Sequence, residues 1–77
     1  MIRVRTHVRE VSEARNVTKA KLSRLADVSP GTLDKIWRDP YHESYLSTLA
    51  RIALALRVPV ETLYTIEQDN SVPFEDQ

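Results

Sequence analysis

Two short apolar patterns at helical spacing, separated by a tight turn, constrain the fold of this chain more than any other feature. In the stretch 18–37, each pattern places apolar side chains at i, i+3 and i+4. Thr18 and Ser29 are suitable N-caps, and Pro30 falls at the first helical position, where its missing N–H is not needed. Helices of about two turns are unstable alone and must pack on each other, so 18–37 is a candidate helix-turn-helix. The predicted buried residues are Leu22, Leu25 and Ala26, then Leu33, Ile36 and Trp37.

The periodicity predicts further helices on either side of this motif. Val4, Val8 and Val11 fit helical spacing, so helix 1 is expected to run from about residues 4–7 to Arg15. The alternation of apolar and basic residues before it also fits a short N-terminal strand. The other expected helices are helix 2 at about 19–26, helix 3 at about 30–38, helix 4 at about 46–56 and a short helix 5 opened by Pro59. Their predicted inward residues are Leu46, Leu49, Ile52, Ala53 and Leu56 in helix 4, and Val60, Leu63 and Tyr64 in helix 5.

Several residues of the motif match a known pattern: Thr18, Leu22, Ser23, Leu25, Ala26, Val28, Ser29, Thr32, Leu33 and Ile36. With them, the stretch resembles the helix-turn-helix of the Cro and lambda-repressor-like regulators, also called the xenobiotic-response-element family. The run 46–64 resembles the family's last two helices, so the resemblance covers roughly residues 7–64. Asp27 stands where the family usually has Gly, and Asp adopts the left-handed conformation at modest cost. The resemblance implies a compact, all-α, five-helix lambda-repressor-like DNA-binding domain of bacterial or phage origin.

The net charge of zero conceals a marked asymmetry along the chain. All 11 Lys and Arg residues lie in 1–57 with six acids, which gives +5, whereas 58–77 holds five acids and gives −5. Such asymmetry is typical of a basic body with an acidic tail. The predicted organisation is therefore a helix-turn-helix domain at 1–66, followed by an acidic, flexible tail at 67–77.

No catalytic or metal-binding motif is evident in the sequence. There is no cysteine, and His7 and His42 have no companions at metal-ligand spacing. Gly31 is the only glycine, so a glycine-rich phosphate loop is excluded. The sequence therefore predicts a protein that is not an enzyme and that needs no cofactor, metal or small-molecule ligand.

The apolar segments do not predict a membrane protein. Arginines interrupt the N-terminal apolar positions, so no signal core is present. The most apolar run, 46–60, carries two arginines and is too short to span a bilayer. A cytoplasmic location without membrane contact is expected.

The recognition chemistry expected from the resemblance lies on helix 3, which would enter the major groove of double-stranded DNA. Pro30 and Gly31 can make only apolar or backbone contacts with bases. Asp34 could read only a cytosine amino group, which leaves Lys35 as the direct reader of guanine. Weak base discrimination, or readout through DNA shape, is therefore expected. The predicted DNA-binding residues are Thr18, Lys19, Lys21, Ser29, Pro30, Gly31, Thr32, Asp34, Lys35, Arg38, Tyr41 and His42.

The predicted function is double-stranded DNA binding by a small transcriptional regulator, as a homodimer on paired half-sites. Leu54 lies off the buried stripe of helix 4, and the interface candidates are Leu54, Tyr64 and Ile66. Trp37 is expected in the core, with a partly exposed interface position as the alternative. The alternative function is a helix-turn-helix domain reused as a protein-interaction module, antitoxin-like or accessory. The weak reading face, Asp34 and the zero net charge favour that alternative.

Overall fold

The computed structural model describes residues 2–68, in which four α-helices and a two-stranded antiparallel sheet surround one apolar core. The elements in chain order are β1 (Ile2–Thr6), α1 (Val8–Ala14), α2 (Lys19–Ala26), α3 (Pro30–Arg38), α4 (Leu46–Leu56), a 3-10 turn (Val60–Leu63) and β2 (Tyr64–Gln68).

The expectation of a five-helix, all-α domain is wrong at both ends of the chain. The alternating residues before α1 form β1, so α1 begins only at Val8, and Pro59 opens a 3-10 turn instead of a fifth α-helix. The alternative of an N-terminal strand is the correct one. β1 pairs with β2, with Val4 opposite Ile66. This pairing gives hydrogen-bond partners to the backbone groups of two segments that are far apart in sequence. A local sequence pattern therefore cannot predict it.

The predicted boundary of the acidic tail falls within β2, which extends to Gln68. Glu67 lies in that strand, and its carboxylate is 3.5 Å from the Arg3 guanidinium. The remainder of the predicted tail, 69–77, lies outside the described residues.

The core is formed by all four helices and the 3-10 turn. Leu25 and Leu46 were expected in it, but they are 54% and 65% exposed. The buried residues of α2 are Leu22 and Ala26, and Val28 enters the core directly after the turn. Leu46 is the first residue of α4, and side chains lean toward the helix N-terminus, so it projects past the core. Trp37, Val60 and Tyr64 are half-buried against the core. Its buried apolar members are Val8, Leu22, Ala26, Val28, Leu33, Ile36, Leu49, Ile52, Ala53, Leu56 and Leu63.

Three helices end in the same left-handed turn although none of these turns contains glycine. Asn16, Asp27 and Arg57 have φ values of 59°, 56° and 58°. After each comes a valine whose N–H bonds to the carbonyl five residues earlier, which is the Schellman pattern. The tolerance expected for Asp27 is therefore confirmed.

Serine hydroxyls reinforce two of these helix ends. Ser12 Oγ donates to the carbonyl of Val17 at 2.6 Å, and Ser23 Oγ donates to the carbonyl of Val28 at 2.6 Å. The second bond ties the end of α2 to the turn that leads into α3. It therefore helps to hold the two helices of the motif at a constant angle.

Replacing Arg57 by glycine is expected to stabilise the domain by about 0.5–1 kcal/mol, because a side chain at positive φ is strained and glycine is not. Chemical denaturation measures the effect. Arg51→Gly is the matched control, since Arg51 lies within α4. It should destabilise by about 1 kcal/mol, the usual cost of glycine inside a helix. If both substitutions changed the free energy of unfolding in the same direction, the left-handed turn at Arg57 would be contradicted.

Candidate nucleic-acid interface

Helix α3 is oriented by its apolar side, which leaves the opposite side accessible. Leu33 and Ile36 are 0% and 2% exposed and face the core. As expected, Pro30, Gly31 and Lys35 lie on the exposed side. Gly31 has open space around its Cα, so the chain leaves the first turn of α3 unobstructed.

The two N-caps of the motif form as predicted. Thr18 Oγ1 accepts the N–H of Lys21 at 3.1 Å, and Ser29 Oγ accepts the N–H of Thr32 at 3.2 Å. Ser29 also donates to the Thr32 hydroxyl oxygen at 2.8 Å. Other first-turn N–H groups have no partner within their helix, so both helix ends present amide donors at the surface.

Asp34 is held between two cations that the sequence analysis treated as separate. Its Oδ1 lies 2.7 Å from Lys19 Nζ, and its Oδ2 lies 3.1 Å from Arg38 Nε. The Asp34–Arg38 pair could have been predicted from its i,i+4 spacing on one helix. The contact with Lys19 joins α2 to α3 and depends on how the helices pack. The three residues form the Lys19–Asp34–Arg38 network.

The network lowers the pKa of the Asp34 carboxyl, first through the hydrogen bond from Lys19 and then through the charge of Arg38. Because the folded-state pKa lies below the ordinary value, this stabilisation is present above that value. It is lost as pH falls through the lowered pKa, below about pH 4. Lys19→Ala should raise the titration midpoint of Asp34, followed by NMR of its carboxyl carbon. Lys21→Ala removes the same charge from α2 and should leave the titration midpoint of Asp34 unchanged. If the two variants shifted that midpoint equally, the specific contact between Lys19 and Asp34 would be contradicted.

Tyr41 and His42 follow α3, and the Tyr41 side chain contacts residues of the sheet. The Tyr41 hydroxyl donates to Glu67 Oε1 at 2.9 Å, and the Arg3 guanidinium lies 4.4 Å from the centre of its ring. Arg3, Tyr41 and Glu67 thus form one surface cluster. Sequence reasoning missed it, because β1 and β2 must pair before these residues meet.

A groove of about 530 Å³ separates α3 from the start of α4. Tyr45 is the N-cap of α4, but its side chain makes no capping hydrogen bond, so within residues 2–68 the first amides of that helix receive no side-chain cap. Ser44 Oγ is buried and has no hydrogen-bond partner among the described residues. Sequence reasoning did not select this groove as a site, although a tyrosine at the cap position was a usable signal. The groove is lined by Thr32, Lys35, His42, Glu43, Ser44, Tyr45 and Thr48.

The three predicted interface residues lie on two different elements. Leu54 on α4 is 79% exposed and Ile66 on β2 is 61% exposed, whereas Tyr64 is half-buried against the core. Tyr64 and Ile66 share one face of β2, because they alternate along the strand.

The described residues, 2–68, contain neither a metal-binding cluster nor a membrane-spanning helix. No group of three or more His, Asp or Glu side chains there is arranged to hold a metal ion. Within that same part of the chain, no helix is long and apolar enough to cross a membrane.

Comparison with known proteins agrees with this geometry. Residues 7–69 match the family model described as the Cro/C1-type HTH DNA-binding domain. No match was found among curated proteins or among solved structures. The family match spans most of the 77 residues, and it confirms the resemblance carried by the helix-turn-helix. The chain therefore belongs to the Cro/C1-type helix-turn-helix DNA-binding domain family.

Proposed function

We propose that this chain is a small transcriptional regulator that binds double-stranded DNA as a homodimer, with α3 in the major groove of each half-site. The observation that carries the proposal is the single exposed surface formed by α3, the start of α2 and the groove before α4. That surface carries exposed hydrogen-bond donors, among them the side chains of Lys21 and Lys35, and phosphate oxygens accept hydrogen bonds.

Phosphates would be held on both sides of α3. On one side, the amides at the start of α2 and the side chain of Lys21 are exposed. On the other side, the groove offers the ring of His42 and the uncapped amides of α4. Helix N-termini favour anions because their N–H groups are unpaired and their dipoles are positive.

Base readout would depend on few side chains. Lys35 is exposed on α3 and also lines the groove, so it can reach a guanine edge or a phosphate. Pro30 and Gly31 provide shape but no polar side-chain contact. We therefore propose weak base discrimination, with DNA shape as the second source of preference.

Binding to random duplex DNA across a salt series tests this proposal. Lys21→Ala and Lys35→Ala should each reduce the slope of log K against log salt by about one unit. Arg57→Gly is the charge-matched control, because Arg57 lies at the far end of α4, about 16 Å from its N-terminus. It should leave the slope unchanged. Absence of duplex binding at low salt, or equal effects of all three variants, would overturn the proposed surface. If the protein binds duplex DNA, selection from a random DNA pool measures its base preference.

A protein-interaction module is the second candidate, and the Lys19–Asp34–Arg38 network favours it. That network pairs two cations of the candidate surface with one carboxylate, which weakens its attraction for phosphates. This alternative predicts no retention on duplex DNA even at low salt.

A further inference from the structure

A small cavity lies where the end of β1, the start of α1 and the end of α3 meet. Its wall includes Arg5 from β1, Arg9 from α1, and Trp37 and Arg38 from α3. Its volume is about 180 Å³. Pockets that enclose a drug-sized ligand have roughly 300–1,000 Å³, so this cavity fits one small chemical group. Among residues 2–68, it has no lining residue in common with the groove before α4, so the two are separate.

Positive charge dominates the wall of this cavity, which we call the arginine cavity. Arg5, Arg9 and Arg38 come from three different elements. The one acidic residue among the described residues that line it is Glu10, so three positive charges and one negative charge leave a formal charge of +2. Like charges around one small volume repel each other, and an anion among them relieves that repulsion.

Two of the three guanidinium groups are held through Nε by an acid one turn away on their own helix. Arg9 Nε lies 3.2 Å from Glu13 Oε2, and Arg38 Nε lies 3.1 Å from Asp34 Oδ2. A guanidinium has five N–H donors, so a contact through Nε leaves the four terminal ones for another acceptor. Within residues 2–68, the terminal Nη groups of Arg9 and Arg38 make no hydrogen bond.

Arg5 is held through its terminal nitrogens instead. Its Nη2 lies 3.4 Å from Glu10 Oε2, and its Nη1 lies 3.2 Å from His7 Nδ1. Because a guanidinium only donates hydrogen bonds, His7 Nδ1 is the acceptor in this contact. Each Nη atom carries a second N–H, so Arg5 also retains donors for a ligand.

We propose that the arginine cavity binds one phosphate group, carried either by a small anion in solution or by bound DNA. Arg9 and Arg38 donate their terminal N–H groups to the phosphate oxygens, and Arg5 donates its remaining ones. Charge-assisted bonds of this kind are short and strong, and the guanidinium fork matches pairs of phosphate oxygens. The cavity recognises the phosphate group alone, because its volume leaves no room for a sugar and a base as well.

The number of arginines favours phosphate over a carboxylate ligand. A carboxylate has two acceptor oxygens in one plane, whereas a phosphate monoester has three acceptor oxygens that point in different directions. Donors from Arg5, Arg9 and Arg38 reach the cavity from three elements, so a tetrahedral group can engage all three side chains at once.

Fluorescence of Trp37 provides a direct test in the absence of DNA. Trp37 is the only tryptophan of the chain, and it lines the cavity. Titration of the full chain with inorganic phosphate, at an ionic strength held constant with sodium chloride, should change this fluorescence saturably. Arg9→Gln should weaken phosphate binding by at least about tenfold, because it removes a charged fork. Arg24→Gln removes the same charge from an exposed position on α2 and should leave phosphate binding unchanged.

Duplex DNA distinguishes the two sources of the phosphate group. If a DNA phosphate occupies the cavity, Arg9→Gln should also reduce the slope of log K against log salt by about one unit. If the ligand is a small anion, that slope should stay unchanged while inorganic phosphate still binds.

The absence of saturable phosphate binding would overturn the proposal, whatever the result with DNA. An equal loss of phosphate binding in Arg9→Gln and Arg24→Gln would also overturn it, because net charge alone would then explain the effect. This inference goes beyond the proposed function. Since the phosphate titration contains no DNA, its failure would leave DNA binding by α3 standing.

Discussion

Replacing Asp34 by asparagine is expected to tighten binding to random duplex DNA on the order of tenfold at about 50 mM salt. The change removes a negative charge from α3 and frees Lys19 and Arg38, which Asp34 holds at 2.7 and 3.1 Å. Two freed cations can neutralise phosphates, so the salt dependence should steepen by one to two units, at about 0.9 unit per phosphate contact. Fluorescence anisotropy with a labelled random duplex measures both quantities.

Asp39→Asn is the control that separates the network from net charge. Asp39 follows α3 directly, and its Oδ1 accepts the N–H of Tyr41 at 2.9 Å, a bond that the asparagine oxygen retains. The Asp39→Asn substitution removes one negative charge without freeing Lys19 or Arg38. Its gain in DNA affinity should therefore be clearly smaller than that of Asp34→Asn. If the two variants bind equally well, only net charge matters, and the network has no separate role.

Leu22→Ala is expected to cost about 2–5 kcal/mol of unfolding free energy, because Leu22 is fully buried and the side chain leaves a cavity. Domains of this size have only about 5–15 kcal/mol in total. At roughly 4–8 °C per kcal/mol, the melting temperature should fall by at least about 8 °C. Thermal unfolding followed by far-UV circular dichroism measures the loss.

Leu25→Ala makes the same chemical change three residues along α2. Because Leu25 is 54% exposed, the change should alter stability by less than about 0.5 kcal/mol. A loss comparable to that of Leu22→Ala would show that the packing of α2 differs from the structure described. The pair also distinguishes the observed burial pattern from the wider apolar face predicted from spacing alone.

Local chemistry was enough to place the motif itself. The caps Thr18 and Ser29 and the proline at the start of α3 act on residues within one turn, so their effect is visible in sequence. The bounds of α2 and α3 and the outward side of α3 followed from them. The left-handed conformation of Asp27 could also be predicted, because a helix end commonly needs a left-handed residue and aspartate can adopt that conformation.

The candidate surface was predictable as a set of residues but not as an arrangement. Lys35 was expected on the exposed side of α3, where the structure places it. The pairing of Lys19 with Asp34 spans fifteen residues and requires the packing of α2 on α3. The cluster of Arg3, Tyr41 and Glu67 requires a strand pair that joins the two ends of the described chain.

Helical periodicity and capping, which act over three or four residues, were therefore sufficient to place the helix-turn-helix, and the residues of that motif carried the resemblance to the family that the family model then confirmed. The tertiary structure decided which apolar residues are buried, since Leu22 and Leu25 fit the same pattern but only Leu22 faces the other helices. It also decided that the ends form a sheet, because a strand obtains its hydrogen bonds from a partner that the local sequence does not specify.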